Sequence, residues 1–337
     1  MTSPLKNTLM TLTALAGTTL LVACGSTPEP GVTPTTVAPV AEAATTEPTD
    51  DNPYPNGSLN LALFAAMDSV PIFLAYEKGF FADHGVDVSI ERFFSAQDRD
   101  TSFQVDDSFD GLIFDGVALA IYNDAGFDIV GVTSTIGLTS VIGANHVETI
   151  TDIAGEHTLI SFNTSMDYII HAAMDTYGID PATVTLQGIP QLPVRLEMLL
   201  ADQAGAATLA EPMASIAVEV HGLNRLTSTP AMDINPFVMG FRRSSVENYP
   251  DALAAFFRGW NDAVDFMATA PREAFMHVLA DIAGFPEDMM DTLEIPSFGH
   301  AAMPAHHHMQ DVFDFAYERG IVETHFDAAA LVSDFLN

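Results

Sequence analysis

Four short polar groups stand where an apolar run of the sequence gives way to a helix-like stretch. They are Met67-Asp68-Ser69, Phe114-Asp115-Gly116, Asn163-Thr164-Ser165 and Ala210-Glu211-Pro212. Burying such carboxylates beside an anion would cost free energy, whereas an amine would pair with them. The alternative is that Asp68, Asp115 and Ser165 only cap helices, as these residue types commonly do.

Aromatic rings close to these groups in sequence could stack on a flat ligand. The candidates are Phe64, Phe114, Phe162, Tyr168 and Trp260. Ordinary core packing is the alternative for each ring, and Trp260 lies inside a helical apolar pattern.

A histidine run, His306-His307-His308, with His300 nearby, raises the question of a metal site. Adjacent residues on a helix point about 100° apart, so three consecutive histidines cannot all reach one ion. No H-E-x-x-H pattern accompanies them. We therefore interpret the run as a polar helix start from which one ring could hydrogen-bond a ligand, and we predict no metal site.

Enzyme signatures are scarce in the chain. It contains no G-x-S-x-G elbow, no Walker loop and no glycine-rich dinucleotide turn, and its single cysteine is Cys24. The sequence therefore predicts a binding protein without a cofactor.

The elements that must position these residues alternate along the chain. Strands are predicted at Leu59–Ala65, Val86–Phe93, Gly111–Phe114, Asp128–Thr133, His157–Phe162, Val184–Gly188, Ala204–Leu209 and Phe237–Arg242. Helices are predicted at Pro71–Asp83, Gln97–Val105, Val117–Ala125, Met166–Tyr177, Leu192–Ala201, Pro212–His221, Pro250–Ala268, Arg272–Ala283, His306–Arg319 and Ala328–Phe335. This alternation predicts an α/β fold with parallel-rich sheets flanked by helices.

The late helices have no strands between them, which predicts that the chain leaves a first lobe, builds a second and then returns. We place lobe 1 at residues 58–143 plus 237–337 and lobe 2 at residues 144–236. Ligands of parallel α/β sheets bind beyond the carboxyl ends of strands, and pockets favour interfaces between lobes. Convergence of the four polar groups on one such cleft would favour ligand binding over capping alone.

The N-terminal segment carries an export signal. Lys6 precedes an apolar stretch, Leu9 to Ala23, whose fifteen residues fall short of the roughly 20 that a membrane-spanning helix needs. The residues L-V-A-C-G resemble the bacterial lipobox, so we expect residues 1–23 to be a signal peptide and Cys24 to carry lipid. Residues 24–57 are rich in Pro, Thr, Ala and Glu and predict a disordered tether.

The net charge of −34 excludes nucleic acid and anionic lipid as partners. Because 48% of the residues are hydrophobic, the chain is nevertheless predicted to be globular. A saline habitat explains the acidic surface as well as a ligand does. The expected oligomeric state is a monomer.

Several segments together resemble one known family, and their order and spacing carry the resemblance. They are Pro71–Val88 (PIFLAYEKGFFADHGVDV), Asp152–Gly155 (DIAG), Phe162–Ser165 (FNTS), Ala207–Pro212 (ATLAEP), Asn248–Trp260 (NYPDALAAFFRGW) and Tyr317–Ile321 (YERGI). Over Leu59 to Leu336 the chain resembles the substrate-binding proteins of ABC importers for sulfonates, nitrate, riboflavin and the pyrimidine precursors of thiamine.

The resemblance implies a two-lobed periplasmic-binding-protein-like fold of type II, with two crossing hinge strands, a ligand in the cleft and an ABC permease as partner. The expected ligand contacts are Met67, Asp68, Ser69, Phe114, Asp115, Asn163, Thr164, Ser165, Tyr168, Glu211 and Pro212. Their acidity favours a small amine-bearing heterocycle, such as a thiamine pyrimidine precursor.

Three alternatives stay open at this point. One is a sulfonate or nitrate cargo for the same kind of protein. Another is a metal-binding surface lipoprotein that uses the histidines. The third is a pyrimidine-forming enzyme of the same fold, against which the export signal argues.

Overall fold

Two five-stranded sheets of the same topology organise the part of the chain that the computed structural model describes, residues 53–93, 96–289 and 295–337. The first sheet has the order β2 (Asp87–Phe93), β1 (Ser58–Phe64), β3 (Gly111–Asp115), β10 (Phe237–Arg242) and β4 (Ile129–Ser134). The second has the order β7 (Thr185–Gly188), β6 (His157–Ile160), β8 (Ala206–Ala210), β5 (Thr139–Gly143) and β9 (Asn224–Ser228).

In each sheet three neighbouring strands are parallel, and the fourth strand in the order runs antiparallel to both of its neighbours. In the first sheet β2, β1 and β3 are parallel, and β10 runs antiparallel to both β3 and β4. In the second sheet β7, β6 and β8 are parallel, and β5 runs antiparallel to both β8 and β9. This confirms the predicted two-lobed α/β architecture with parallel-rich sheets.

Helices cover both faces of both sheets. They are α1 (Val70–Lys78), α2 (Phe80–Asp83), α3 (Ala96–Val105), α4 (Gly116–Asp124), α5 (Ser165–Thr176), α6 (Leu192–Leu200), α7 (Met213–Ser215), α8 (Arg243–Asn248), α9 (Pro250–Thr269), α10 (Met276–Val278), α11 (His306–Glu318) and α12 (Ala328–Leu331). Short 3-10 helices lie at Met67–Ser69, Ile150–Ile153, Pro181–Thr183, Pro230–Met232, Arg272–Ala274 and Glu287–Met289, and π-helical turns at Ile216–Val220 and Leu279–Ala283. No helix of the described ranges is long and apolar enough to cross a membrane.

Alternation of side chains along the strands explains the layered core. Leu59, Leu61 and Leu63 of β1 enter the core beneath α1 and α9, whereas Ala62 enters the core on the opposite face, beneath α4 and α11. Successive strand residues point to opposite faces, so a strand that is apolar on both sides must be covered twice. In lobe 2, Val141 and Ile142 divide between two cores in the same way.

Two segments cross between the sheets. The first, residues 135–138, joins β4 to β5, and the second, residues 229–236, joins β9 to β10. The change of sheets therefore occurs before Thr139, one strand earlier than the boundary expected after Gly143. The difference arises because β5 pairs with β8 and β9, so these five residues complete the second sheet.

Several sequence expectations change at element ends. Strands β5 and β9 were not predicted, and the stretch expected to be helical at Pro212–His221 is α7 followed by a π turn. The predicted helix Arg272–Ala283 is broken into 3-10, α and π turns, and the one expected to reach Phe335 ends at Leu331.

The expectations for the N-terminus fall mostly outside the described residues, which include neither the signal peptide, nor Cys24, nor the tether up to residue 52. The end of the predicted tether is bound to the folded part, because the backbone N–H of Asn56 donates to the carbonyl oxygen of Gly85 at 3.0 Å. The side-chain amide of Asn56 also donates to the carbonyl oxygen of His84 at 2.7 Å.

Candidate functional site

The four polar groups singled out in the sequence lie at the carboxyl ends of β1, β3, β6 and β8, and contacts connect each of them to the junction between the lobes. This edge is where loops of a parallel sheet gather and where ligands of such folds bind. The contacts take a different form at each turn.

Asp68 belongs to the 3-10 turn after β1 and is buried, with 8% of its surface exposed. Its Oδ2 accepts a hydrogen bond from the hydroxyl of Thr135, at 3.3 Å, in the first crossing segment. Burial raises the pKa of Asp68 to about 6, and the positive charge of Arg99 only partly offsets that rise. The neighbouring hydroxyl of Ser69 donates back to the carbonyl oxygen of Phe64 at 2.7 Å, which fixes the turn.

Asp115 ends β3 and contacts both lobes. Its Oδ1 accepts from the backbone N–H of Ala118 at 3.0 Å, so it caps α4. Its Oδ2 accepts from the backbone N–H of Ser165 at 3.4 Å, and Ser165 begins α5 in lobe 2. Burial raises the pKa of Asp115 despite these hydrogen bonds. Capping and a contact between the lobes therefore coexist in one carboxylate.

The turn after β6 is held by its own polar side chains. Asn163 adopts a left-handed conformation with φ of 60°, which asparagine tolerates better than most residues. The hydroxyl of Thr164 donates to the carbonyl oxygen of Ser161 at 2.9 Å and accepts from the backbone N–H of Met166 at 3.2 Å. The buried carboxylate of Asp167 accepts from the backbone N–H of Asn163 at 3.1 Å. Asp167 was not predicted, although an acid in the first turn of a helix was a usable signal.

Glu211 follows β8 and is tied to the first crossing segment, because its backbone N–H donates to the carbonyl oxygen of Leu138 at 3.1 Å. Its Oε2 accepts from the backbone N–H of Ser215 at 3.0 Å, and its Oε1 lies 3.5 Å from Nη1 of Arg225. Pro212, next in the chain, precedes α7. Thr135 and Leu138 thus bring the turns of Asp68 and Glu211 to one connecting segment.

A cavity of about 490 Å³ lies against both crossing segments. Its wall consists of residues 136–138, of Thr229, Pro230, Ile234 and Asn235, and of residues 295–297. This volume suits a small molecule. The side-chain amide of Asn235 donates to the carbonyl oxygen of Thr135 at 3.0 Å, so Asp68 is bonded to a residue that adjoins the cavity wall.

Sequence reasoning missed the crossing-segment part of this wall because β5 and β9, the strands that border the two segments in lobe 2, were not recognised. The connections between two predicted lobes were the signal that could have pointed to it.

The aromatic candidates separate into one exposed ring and several packed ones. Phe162 is 47% exposed and lies beside the turn after β6. Phe114 packs edge-to-face on Tyr122, and Tyr168 packs edge-to-face on Phe315 of α11. Trp260 is buried in the lobe 1 core, where its indole N–H donates to the carbonyl oxygen of Gly299 at 3.3 Å. The helical apolar pattern around Trp260 thus indicated core packing correctly. The suggestion that Trp260 stacks on a ligand is wrong, because its ring is buried in the core. Phe64 is partly buried.

Carboxylates outnumber the cations near these turns. The carboxylates there are Asp68, Asp115, Asp167 and Glu211, whereas the positive charges come from three arginines, Arg99, Arg225 and Arg195. Arg99 is itself paired with Asp100 at 2.6 Å and donates to the carbonyl oxygen of Ile113 at 2.5 Å. The local charge therefore favours a cationic or neutral solute over an anion.

Arg195 of α6 is a buried cation that the sequence did not single out. It donates to the carbonyl oxygens of Ile189 and Thr208, both at 2.6 Å, and to the hydroxyl of Ser161. Burial lowers the pKa of Arg195 to about 10, and none of the described carboxylates forms an ion pair with it. These hydrogen bonds connect the ends of the strands that precede the lobe 2 turns. A single basic residue in the apolar first turns of a helix was the sequence signal that could have identified Arg195.

The histidine run begins α11, as expected of a polar helix start. His308 Nε2 lies 3.0 Å from the carbonyl oxygen of Asp233 in the second crossing segment, and the His307 and His308 rings are 4.1 Å apart. Within the described ranges, no group of three or more His, Cys, Asp or Glu side chains could hold a metal ion.

One known protein family and several solved structures are similar to this chain. The model of a family described as NMT1/THI5 like matches residues 66–274. No curated protein sequence matches the chain significantly.

Solved structures share the fold at low sequence identity. The periplasmic aliphatic sulphonate binding protein SsuA from Escherichia coli is 15% identical, with a TM-score of 0.73 over 83% of this chain and 98% of its own. The periplasmic nitrate-binding protein NrtA from Synechocystis PCC 6803 is 16% identical, with a TM-score of 0.65 over 81% of this chain and 84% of its own. The desulfurization enzyme DSZB is 11% identical, with a TM-score of 0.61 over 83% of this chain and 98% of its own.

Proposed function

Because the chain belongs to the NMT1/THI5-like family, we propose that it is the solute-binding component of an ABC importer. The two-lobed fold, which it shares with solved periplasmic binding proteins, supports this function. In such a mechanism the polar turns of both lobes take the solute out of water, and the closed form docks on the permease.

The proposed cargo is a small amine-bearing heterocycle, such as a pyrimidine precursor of thiamine. The observation that carries this choice is the excess of buried carboxylates at the lobe junction. Asp68 and Glu211 are each hydrogen-bonded to the first crossing segment. The shortest distance from either carboxylate to a cation in a described ion pair is the 3.5 Å between Glu211 and Arg225. An amine between them would satisfy carboxylates whose burial is otherwise costly.

The cavity beside the crossing segments is the proposed seat of the ring. Its described wall contains apolar side chains together with Thr229, Asn235 and Ser297, and no charged residue. Such a wall suits a flat neutral body, while the amine of the solute would reach toward Asp68. The exposed ring of Phe162 is the proposed stacking surface on the lobe 2 side.

Export and membrane attachment complete the proposal. A lipid on Cys24 would hold the protein at the extracytoplasmic face of the cell membrane, and the tether would keep the folded part near its permease as a monomer.

Calorimetric titration of the purified protein with a solute panel tests the proposed cargo. The panel contains an aminopyrimidine, its analogue without the amino group, an alkyl sulfonate and nitrate. We expect the aminopyrimidine to bind, and we expect Asp68→Asn to weaken it about 10- to 100-fold, as loss of a charge-assisted hydrogen bond does.

Asp83→Asn is the matched control, because it removes the same charge from an exposed position of the same lobe. Binding of sulfonate or nitrate alone would contradict the proposed cargo. Chemical conversion of a bound solute would contradict the assignment as a binding protein.

One alternative has a specific observation in its favour. The fold similarity to SsuA and NrtA, whose names state sulphonate and nitrate binding, favours an anionic cargo. The same panel decides between the two cargo classes.

A further inference from the structure

Two helix N-termini from opposite lobes meet at the carboxylate of Asp115. Its Oδ1 accepts the N–H of Ala118 in α4, and its Oδ2 accepts the N–H of Ser165, the first residue of α5. Ser165 is buried, with 4% of its surface exposed. One carboxylate therefore serves as the acceptor for both helices.

A helix N-terminus attracts anions, because its first N–H groups lack partners and its dipole is positive there. Two such termini directed at one place would form a good receptor for a sulfonate, a nitrate or a carboxylate. In this chain the position is taken by a negative charge that belongs to the protein.

The surroundings of Asp115 strengthen this effect. The buried carboxylate of Asp167 lies in the first turn of α5 and accepts the N–H of Asn163 at 3.1 Å, so α5 already carries a second negative charge. The charge of Arg99 acts on Asp115, and Arg99 is itself paired with Asp100 at 2.6 Å. A solute anion arriving here would meet two carboxylates, a guanidinium already paired with Asp100, and the His171 ring, which lies 3.2 Å from Asp167.

We propose that Asp115 determines the charge class of the solute, because its carboxylate accepts from the N-termini of two helices, one in each lobe, that would otherwise receive an anion. This inference rests on the proposed solute-binding function and adds the residue that rejects sulfonates and nitrate. The same hydrogen bonds join the lobes without any help from an anionic ligand.

The test uses Asp115→Ser, which keeps an N-cap side chain for α4 but shortens it and removes the charge. Methanesulfonate is titrated calorimetrically into the full-length wild-type and variant proteins near neutral pH, with sodium chloride at equal ionic strength as the reference salt. We expect wild type to show no methanesulfonate binding beyond that of chloride. We expect the variant to bind methanesulfonate at least about tenfold more tightly than chloride. The midpoint temperature of thermal unfolding of the variant should rise by a few degrees at saturating methanesulfonate.

Asp327→Ser is the matched control. Asp327 caps α12 by accepting the N–H of Ala329 at 2.9 Å, and its exposed carboxylate has no opposing helix. It should gain no sulfonate response. Asp115→Asn, which nearly preserves the side-chain shape, provides a second variant if the serine variant does not unfold cooperatively.

Sulfonate binding by the wild-type protein would overturn the inference, as would a cooperatively folded Asp115→Ser or Asp115→Asn protein that stays unresponsive to sulfonate. An aminopyrimidine titrated into wild type in parallel separates the two proposals. Aminopyrimidine binding combined with unresponsive Asp115 variants contradicts the role of Asp115 alone. Absence of binding by every solute in wild type contradicts the proposed function.

Discussion

The carboxylate of Asp68 accepts a hydrogen bond from the hydroxyl of Thr135 at 3.3 Å, so the turn after the first strand is joined directly to a segment that crosses between the sheets. The two residues lie 67 positions apart in the chain. A solute that engages Asp68 would therefore act on the connection between the lobes as well as on lobe 1.

Replacing Asp68 by Asn should stabilise the ligand-free protein more at neutral than at acidic pH. Burial raises the pKa of Asp68 to about 6, above the value of roughly 3.9 expected in the unfolded chain. The native state therefore favours the protonated acid, and the stability that this proton provides is complete below about pH 4 and lost as the pH rises through about 6. The free energy of unfolding of Asp68→Asn, relative to wild type, should therefore increase by about 2 kcal/mol from pH 4.5 to pH 7.5, as measured by urea unfolding. An unchanged difference across that range would contradict a raised pKa.

The same titration should appear in ligand binding. The amino N–H of the solute donates more strongly to the ionised form of Asp68 than to its acid form, so wild-type affinity should increase as the pH rises through about 6 and then level off. Calorimetric titrations at several pH values check this. In Asp68→Asn the increase should be absent, and a profile identical to wild type would exclude Asp68 as the group that titrates.

Glu211→Gln should weaken solute binding about tenfold while leaving the fold largely intact. The glutamine oxygen can still accept the N–H of Ser215, but the charge facing Arg225 and the proposed amine is lost. Affinity and urea unfolding are measured together. Glu197→Gln, an exposed change on α6, should alter neither quantity. A collapse of stability in Glu211→Gln would indicate a purely structural carboxylate.

Arg195→Met should lower the free energy of unfolding by about 3 kcal/mol, because buried acceptors at Ile189, Thr208 and Ser161 lose their donor. Denaturant unfolding measures the loss. The exposed Arg319 provides the control, since Arg319→Met should stay within about 0.5 kcal/mol of wild type. Equal stabilities of the two variants would show that the acceptors find other donors.

Gly240→Ala should destabilise lobe 1 by about 2 kcal/mol through overpacking. A Cβ atom at this position of β10 would lie 2.5 Å from the ring of Phe114 and 3.1 Å from the carbonyl oxygen of Val130. Gly299→Ala meets nothing within 4 Å and should be neutral in the same thermal unfolding experiment. A harmless Gly240→Ala would mean that the ring of Phe114 can move away from β10.

Cys24→Ser should release the protein from the membrane fraction. Cys24 is the single cysteine of the chain, so a thioether-linked lipid can be attached nowhere else. Fractionation of cells and the intact mass of the mature protein check this expectation. Continued membrane attachment of the variant would point to an uncleaved signal segment instead.

The fold was largely predictable because its parallel strands carry strong local signals. Runs such as Leu59–Ala65 are apolar on both faces, which is typical of a strand covered by helices on each side. Strands β5 and β9 escaped prediction for different reasons. Strand β5 follows β4 without a glycine- and proline-rich break, and β9 is a half-exposed edge strand of mostly polar sequence. A strand whose pairing partners lie far away in the chain gives no local sign of its sheet.

The places of the polar turns at strand ends were predictable from sequence, but their contacts were not. A general property of parallel sheets placed Asp68 and Asp115 at the carboxyl ends of strands in the first sheet and Glu211 at the carboxyl end of a strand in the second. Which face an aromatic ring presents depends on tertiary packing, so Phe114, Tyr168 and Phe162 could not be distinguished from sequence. Thr135 and Leu138 were out of reach for the same reason, because their importance comes from contacts with residues more than 60 positions away.

The strand order has a consequence for how the chain is made. The second sheet uses one uninterrupted stretch, β5 to β9, whereas β4 of the first sheet pairs with β10, the last strand of the described chain, and through an isolated bridge with Val332. During synthesis or export from the N-terminus, all strands of lobe 2 therefore emerge before lobe 1 is complete. The sheet of lobe 1 cannot be completed until Phe237–Arg242 has emerged. Until then its half-built sheet offers an open edge at β3, and an emerging chain of this design needs protection from neighbouring chains there.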